Sequence, residues 1–127
     1  MNGILAEWIA KAEGDFTTAQ REMRVRRKPN YDAVCFHSQQ CVEKYLKAFL
    51  ISKRIEPPRT HNLVELVNLC LAKDGTFEMF RPALESLNAF SVTIRYPRAF
   101  AARQDARDAV KAMKQVRDFV RGKLKAK

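Results

Sequence analysis

The chain has 127 residues, of which 46% are hydrophobic and 30% are charged, so it has the length and composition of one folded domain and not of a disordered segment. With only 4 Gly and 5 Pro it is not a turn-rich all-β chain. The sequence also lacks an apolar run of about 18 residues, so it predicts no transmembrane helix. The formal net charge of +10 predicts attraction to a polyanion or to an acidic partner, and does not choose between them.

The N-terminal third begins with helical spacing of apolar residues. The stripe that contains Leu5, Trp8 and Ala12 predicts a first helix over residues 3–23. The chain start lacks the basic segment of a secretory signal. A basic run, residues 24–28, follows and is closed by a proline, which disfavours helix in the residue before it. This run is either a solvated loop or a phosphate contact.

The second predicted helix, residues 31–54, is the packing centre of the chain. It has no Gly or Pro and carries one broad apolar stripe, so other helices must pack along it. Glu43, Lys44 and Lys47, with Gln40 beside them, fall on the opposite side. Because Glu43 precedes Lys47 by four residues, the pattern predicts an ion pair on a solvated face.

The remaining sequence predicts three more helices, over residues 62–72, 76–94 and 101–124. The pair Pro57 and Pro58 forms a rigid connector, and Thr60 is the predicted N-cap of the third helix. Pro82 either occupies the first turn of the fourth helix or kinks it. The predicted fold is all-α: a single domain over residues 1–127, an up-and-down bundle of four to five antiparallel helices.

The cysteines and histidines give no sign of a metal site. Cys35, Cys41 and Cys70 form no CxxC pair, which predicts reduced, buried thiols in a cytoplasmic protein. His37 and Cys41 are four residues apart, but no second ligand pair with suitable spacing completes a zinc site. We therefore expect no metal and no cofactor.

The corner between the fourth and fifth helices is the candidate site. Arg95, Tyr96 and Pro97 stand there, and Arg103 and Arg107 follow on the first turns of the last helix, where backbone amides add positive potential. This is a suitable place for a phosphate. In the alternative interpretation Tyr96 packs into the end of the bundle and Arg95 pairs with a carboxylate.

Several stretches together resemble the HEPN domain family. They are the pattern Trp8, Ala12, Asp15, Ala19, the string 37–48 (HSQQCVEKYLKA), the opening of the third helix at 61–63 (HNL), and the corner 95–97 (RYP). The resemblance covers nearly the whole chain, in the family's order. It implies a bundle of four to five helices that forms homodimers, and a minimal nucleotidyltransferase protein as partner in a toxin–antitoxin-type module.

Many members are metal-independent ribonucleases with an Arg and a His four to six residues apart near the last helices. Here Arg95 has no His after it; Arg54 and His61 match the spacing, but in the proline connector. Within the family, this sequence resembles most the nucleotidyltransferase-associated branch, which has the RYP corner.

The resemblance and the charge together lead to one functional hypothesis and two alternatives. The leading prediction is a nucleotide- or RNA-phosphate-binding bundle. The alternatives are a ribonuclease with an atypical active site, whose base would be Tyr96 or His61, and a non-catalytic protein-interaction module. The candidate phosphate-binding residues are Arg95, Tyr96, Lys44, Lys47, Arg98 and Arg103.

Overall fold

The computed structural model describes residues 3–125, in which five α-helices and one 3₁₀ helix occur and no strand. The helices are α1 (Gly3–Met23), α2 (Tyr31–Ser52), α3 (Leu63–Leu71), α4 (Arg81–Thr93) and α5 (Arg103–Lys125), with the 3₁₀ helix (Gly75–Phe80) before α4. The all-α prediction is confirmed. Residues 1–2 and 126–127 of the predicted domain lie outside the described part. Within that part, no helix combines the length and the apolar character that crossing a membrane requires.

The helix α2 lies at the centre of the bundle, because α1 and α5 both pack along it. Tyr45 and Phe49 of α2 are fully buried. The Phe49 ring meets the Phe77 ring with 4.6 Å between centroids, and Phe77 meets Phe119 of α5 at 5.0 Å. Burying an aromatic side chain of this size contributes about 2–3 kcal/mol. These rings therefore join α2, the 3₁₀ helix and α5 into one core.

The three long helices do not all alternate in direction. The backbone N–H that precedes α2 donates to the carboxylate of Glu22, near the end of α1 (2.8 Å), and Lys44, further along α2, donates to Asp15, earlier in α1, so α1 and α2 are antiparallel. At one end of α5, Ala101 N–H donates to Asp32 (2.6 Å), and further along Arg121 donates to Tyr45 (3.3 Å). Residue numbers rise together in these two contacts, so α5 runs parallel to α2.

The connector between α2 and α3 explains a second parallel pair. It runs back along α2, and prolines 57–58 keep it extended. Gln39 Nε2 therefore donates to the carbonyl of His61 (3.0 Å), and Cys70 Sγ lies 3.7 Å from the carbonyl of Leu46. The antiparallel arrangement that the sequence predicts does not hold for α2 and α3, which run parallel.

The helix ends differ from the predictions by a few residues. The N-cap of α3 is Asn62, whose side chain accepts from the N–H groups two and three residues on (2.9 and 3.1 Å); Thr60 instead accepts from the N–H of Asn62. The predicted fourth helix is divided, since residues 75–80 form the 3₁₀ helix. Pro82 occupies the first turn of α4, where its missing N–H costs nothing.

A network around Glu13 holds α1 to α2 and α5. Arg117 forms two hydrogen bonds to the Glu13 carboxylate (2.7 and 2.9 Å), and the Tyr45 hydroxyl donates to the same carboxylate. The Arg117 guanidinium lies 4.2 Å from the centroid of the Phe16 ring. The bond from Arg117 lowers the pKa of Glu13, and burial raises the pKa of Tyr45 to about 12. At neutral pH the carboxylate is therefore ionised and the phenol protonated.

Candidate functional site

The corner between α4 and α5 is a tight turn built around Pro97. The N–H of Ala99 donates to the carbonyl of Tyr96 (3.2 Å), and Arg98 has a φ of 72°. A proline at the second position and a positive φ at the third are typical of a type II β-turn, whose third position favours glycine. Here that position carries an arginine, which presents a cation on a conformationally restricted loop.

The corner packs against the beginning of α2. Arg95 lines a cavity of about 300 Å³ together with Asp32 and Phe36. The hydrogen bond from Ala101 N–H to Asp32 fixes the chain just before α5, and the N–H of the next residue donates to Asp105 (2.8 Å). The two carboxylates therefore hold the backbone of the corner.

The side chains of the corner are open to solvent. Tyr96 is 65% exposed and Phe100 is 79% exposed. Arg95, Arg98 and Arg103 are exposed too, and none of them makes an ion pair within residues 3–125. The alternative in which Tyr96 is packed inside and Arg95 is paired is therefore wrong.

The basic loop after α1 adjoins this corner, which the sequence did not predict. Lys28 lines a second cavity, of about 580 Å³, together with Phe100 and Ala101. Lys28 also has a positive φ, 50°. Its neighbours in the loop, residues 24–27, are exposed. The turn between α4 and α5 and the end of the basic loop thus form one surface. We call this surface the basic corner, and it consists of Lys28, Arg95, Tyr96, Arg98, Phe100 and Arg103.

The polar side of α2 is not a solvated face. The side chain of Lys47 is 7% exposed and that of Glu43 is 4% exposed, with 3.1 Å between Lys47 Nζ and Glu43 Oε2. The Lys47 ammonium also lies 5.4 Å from the centroid of the Trp8 ring. The i,i+4 ion pair is present, but the prediction that it is solvated is wrong, because α1 and the connector cover it.

Lys44 and Lys47 are not part of the basic corner. Lys44 Nζ donates to Asp15 of α1. The two lysines come 12 and 15 residues after Asp32, which adjoins Arg95, so they lie about 18 and 22 Å further along the α2 axis at ~1.5 Å per residue. The structure therefore does not bring them together with Arg95.

Each histidine is held by a carboxylate. His37 Nδ1 lies 2.8 Å from Asp15 Oδ1, and His61 Nδ1 lies 3.0 Å from Glu43 Oε1. Neither histidine lines the cavity that contains Arg95. His61 thus contacts a buried carboxylate of α2, at a distance from the corner.

The cysteines are free and buried. Burial raises the pKa of Cys35 and of Cys70 to about 12, and it raises the pKa of Cys41 still further. The thiols therefore stay protonated and pack as apolar groups. No three His, Cys, Asp or Glu side chains among residues 3–125 are placed to hold a metal ion.

The fold and the corner define a helical-bundle protein with a basic, aromatic surface at one end. The HEPN domain model matches residues 5–123, and the chain belongs to this family, which is associated with nucleotides and RNA. The fold is similar to that of ST0689, an archaeal HEPN homologue, with a TM-score of 0.72, 24% identity, and coverage of 94% of this chain and 96% of that chain. It is also similar to TT1696 from Thermus thermophilus, with a TM-score of 0.68, 20% identity, and coverage of 94% and 97%. No curated protein matches the chain.

Proposed function

We propose that this HEPN bundle binds the phosphate groups of a nucleotide or an RNA at the basic corner. The observation that carries the proposal is the combination there of unpaired guanidinium groups with two exposed aromatic rings. Arginines form charge-assisted, often bidentate, hydrogen bonds to phosphate oxygens. Exposed aromatic rings stack on unpaired bases. Arg95, Arg98 and Arg103 contact phosphates in this proposal, and Tyr96 stacks on a base.

A single-stranded RNA is the ligand that uses the whole surface. Lys28 and Arg95 line neighbouring cavities that share Asn30 and Asp32, so the positive charge extends beyond one phosphate. Phe100 is a second ring available for stacking. Cationic grooves with aromatic platforms bind single strands with little sequence preference. A mononucleotide would occupy only part of this surface.

The proposal includes a homodimer and a partner. Phe36 and Val92 are exposed apolar residues next to Arg95, and they offer an apolar contact to a second copy. The partner that we propose is a minimal nucleotidyltransferase protein in a toxin–antitoxin-type module, as the sequence resemblance to the RYP branch implies. The reduced cysteines agree with a cytoplasmic location, which stays a prediction.

Titrating a nucleoside triphosphate and a short single-stranded RNA against the wild type and Arg95→Ala tests the proposal. The loss of one charge-assisted contact is expected to weaken RNA binding about tenfold. Lys114→Ala is the matched control, because Lys114 is an exposed residue of α5 that makes no ion pair within the described chain. Equal weakening by both variants would mean nonspecific attraction, and the proposal would fail.

A further inference from the structure

A third cavity lies towards the opposite end of α2 from Arg95. It has a volume of about 700 Å³ and is bounded by the start of α1, the last turns of α2 and the connector to α3. This volume is within the range of about 300–1,000 Å³ typical of small-molecule sites. The basic corner contributes no residue to it, so it is a separate site.

The walls of this cavity are mostly apolar and partly planar. The indole of Trp8 forms one part, and Pro57 and Pro58 form another, rigid part. Ile4, Ile51 and Ile55 complete the apolar lining. A flat, apolar ring in a ligand would bury most of its surface against such walls.

The cations of the cavity favour a singly charged anion. Lys47 is buried there but is already paired with Glu43. Arg54 and Arg59 make no ion pair among the described residues, and Glu56 is the acidic member of the lining. Since Glu43 and Glu56 offset two of the three cations, about one positive charge is left for a ligand, which fits a carboxylate better than a phosphate dianion.

Arg54 occupies a backbone position that normally favours glycine. Its φ is 61°, and its N–H donates to the carbonyl of Ile51 (2.9 Å), while Ile55 N–H donates to the carbonyl of Leu50 (3.0 Å). This is a Schellman motif, in which the left-handed residue is usually glycine. The chain thus accepts a left-handed arginine at the edge of the cavity, and replacing it by glycine removes the charge without a backbone penalty.

We propose that this cavity binds a small aromatic carboxylate. The ring lies among Trp8, Pro57 and Pro58, and the carboxylate accepts hydrogen bonds from the guanidinium group of Arg54. The proposal is independent of the function proposed for the basic corner, because the two sites share no residue.

Because Trp8 is the only tryptophan of the chain, its fluorescence reports directly on this cavity. Benzoate is expected to cause a saturable change in the fluorescence of Trp8. Three control compounds are expected to bind at least about tenfold more weakly: the uncharged analogue benzamide, the nonplanar analogue cyclohexanecarboxylate, and AMP. Arg54→Gly is expected to weaken benzoate binding about tenfold. The thermal unfolding midpoint of this variant is expected to equal or exceed that of the wild type. Arg95→Ala should bind benzoate like the wild type.

Several results would overturn the proposal. Among them are no saturable response to benzoate, equal binding of benzamide or cyclohexanecarboxylate, preferential binding of AMP, and unchanged benzoate affinity in Arg54→Gly. A loss of the response in Arg95→Ala would place the binding event at the basic corner and would also overturn it. Loss of RNA binding in that variant with benzoate binding intact separates the two sites.

Discussion

Replacing Lys47 by methionine is expected to lower the free energy of unfolding by about 3 kcal/mol. The substitution keeps the length and apolar contacts of the side chain but removes the ammonium, so that the buried Glu43 carboxylate loses its buried lysine partner. Removing one partner of a buried ion pair typically costs ~3–5 kcal/mol. The lower end applies because His61 still contacts Glu43. Denaturant unfolding followed by circular dichroism measures the change.

The matched double variant distinguishes an unpaired charge from lost packing. Glu43→Gln combined with Lys47→Met removes both charges, and a neutral pair of similar volume is expected to come within about 1 kcal/mol of the wild type. Lys111→Met, on an exposed part of α5, should change stability by less than ~0.5 kcal/mol. If Lys47→Met behaved like Lys111→Met, the buried pair described above would be contradicted.

Removing three arginines of the basic corner should have the largest effect on binding. The triple variant Arg95→Ala, Arg98→Gly and Arg103→Ala is expected to bind single-stranded RNA at least about a hundredfold more weakly at low salt. Glycine is chosen at residue 98 because the left-handed conformation suits it. If each arginine contacts one phosphate, the slope of log affinity against log salt concentration should fall by about 2, at ~0.7 per phosphate.

A second triple variant controls for net charge. Lys73, Lys111 and Lys114 are exposed and make no ion pair among the described residues, and changing them to alanine also removes three positive charges. Its affinity and its salt dependence should stay close to those of the wild type. If the two triple variants lost affinity equally, the corner would have no special role.

The helices could be predicted from the sequence because each is specified locally. The apolar spacing predicted the first helix over residues 3–23, as observed, and Pro82 takes the first-turn position that its chemistry favours. The end of α2 was placed two residues too late, since a left-handed arginine at residue 54 ends the helix where a glycine would be the usual signal.

The burial of Glu43 and Lys47 could not be predicted from spacing on α2 alone. An i,i+4 ion pair has the same pattern on a solvated face and under a neighbouring helix. The decisive groups, Trp8 and His61, come from elsewhere in the chain. One signal was available: residues 41–50 are apolar except at positions 43, 44 and 47, and such a dense apolar context favours burial.

The basic corner could be predicted only in part from the sequence. Arg95, Tyr96 and Arg103 are close in the chain, so their proximity could be predicted. Lys28 lies near them only because α5 starts beside the beginning of α2. The chain returns to that end of the bundle through α3 and α4. Arg98 gave no local sign of its positive φ, because arginine is not a residue that marks such a turn.

Photo-crosslinking of a short single-stranded RNA, with the crosslinked residues identified by mass spectrometry, tests the central claim most directly. Tyr96 and Phe100 are exposed rings at the basic corner, so an RNA held there should crosslink to these two residues, and crosslinking should disappear in the arginine triple variant. Crosslinks on the outer face of α5, around Lys111 and Lys114, or crosslinking at Tyr96 that persists in the triple variant, would contradict the account.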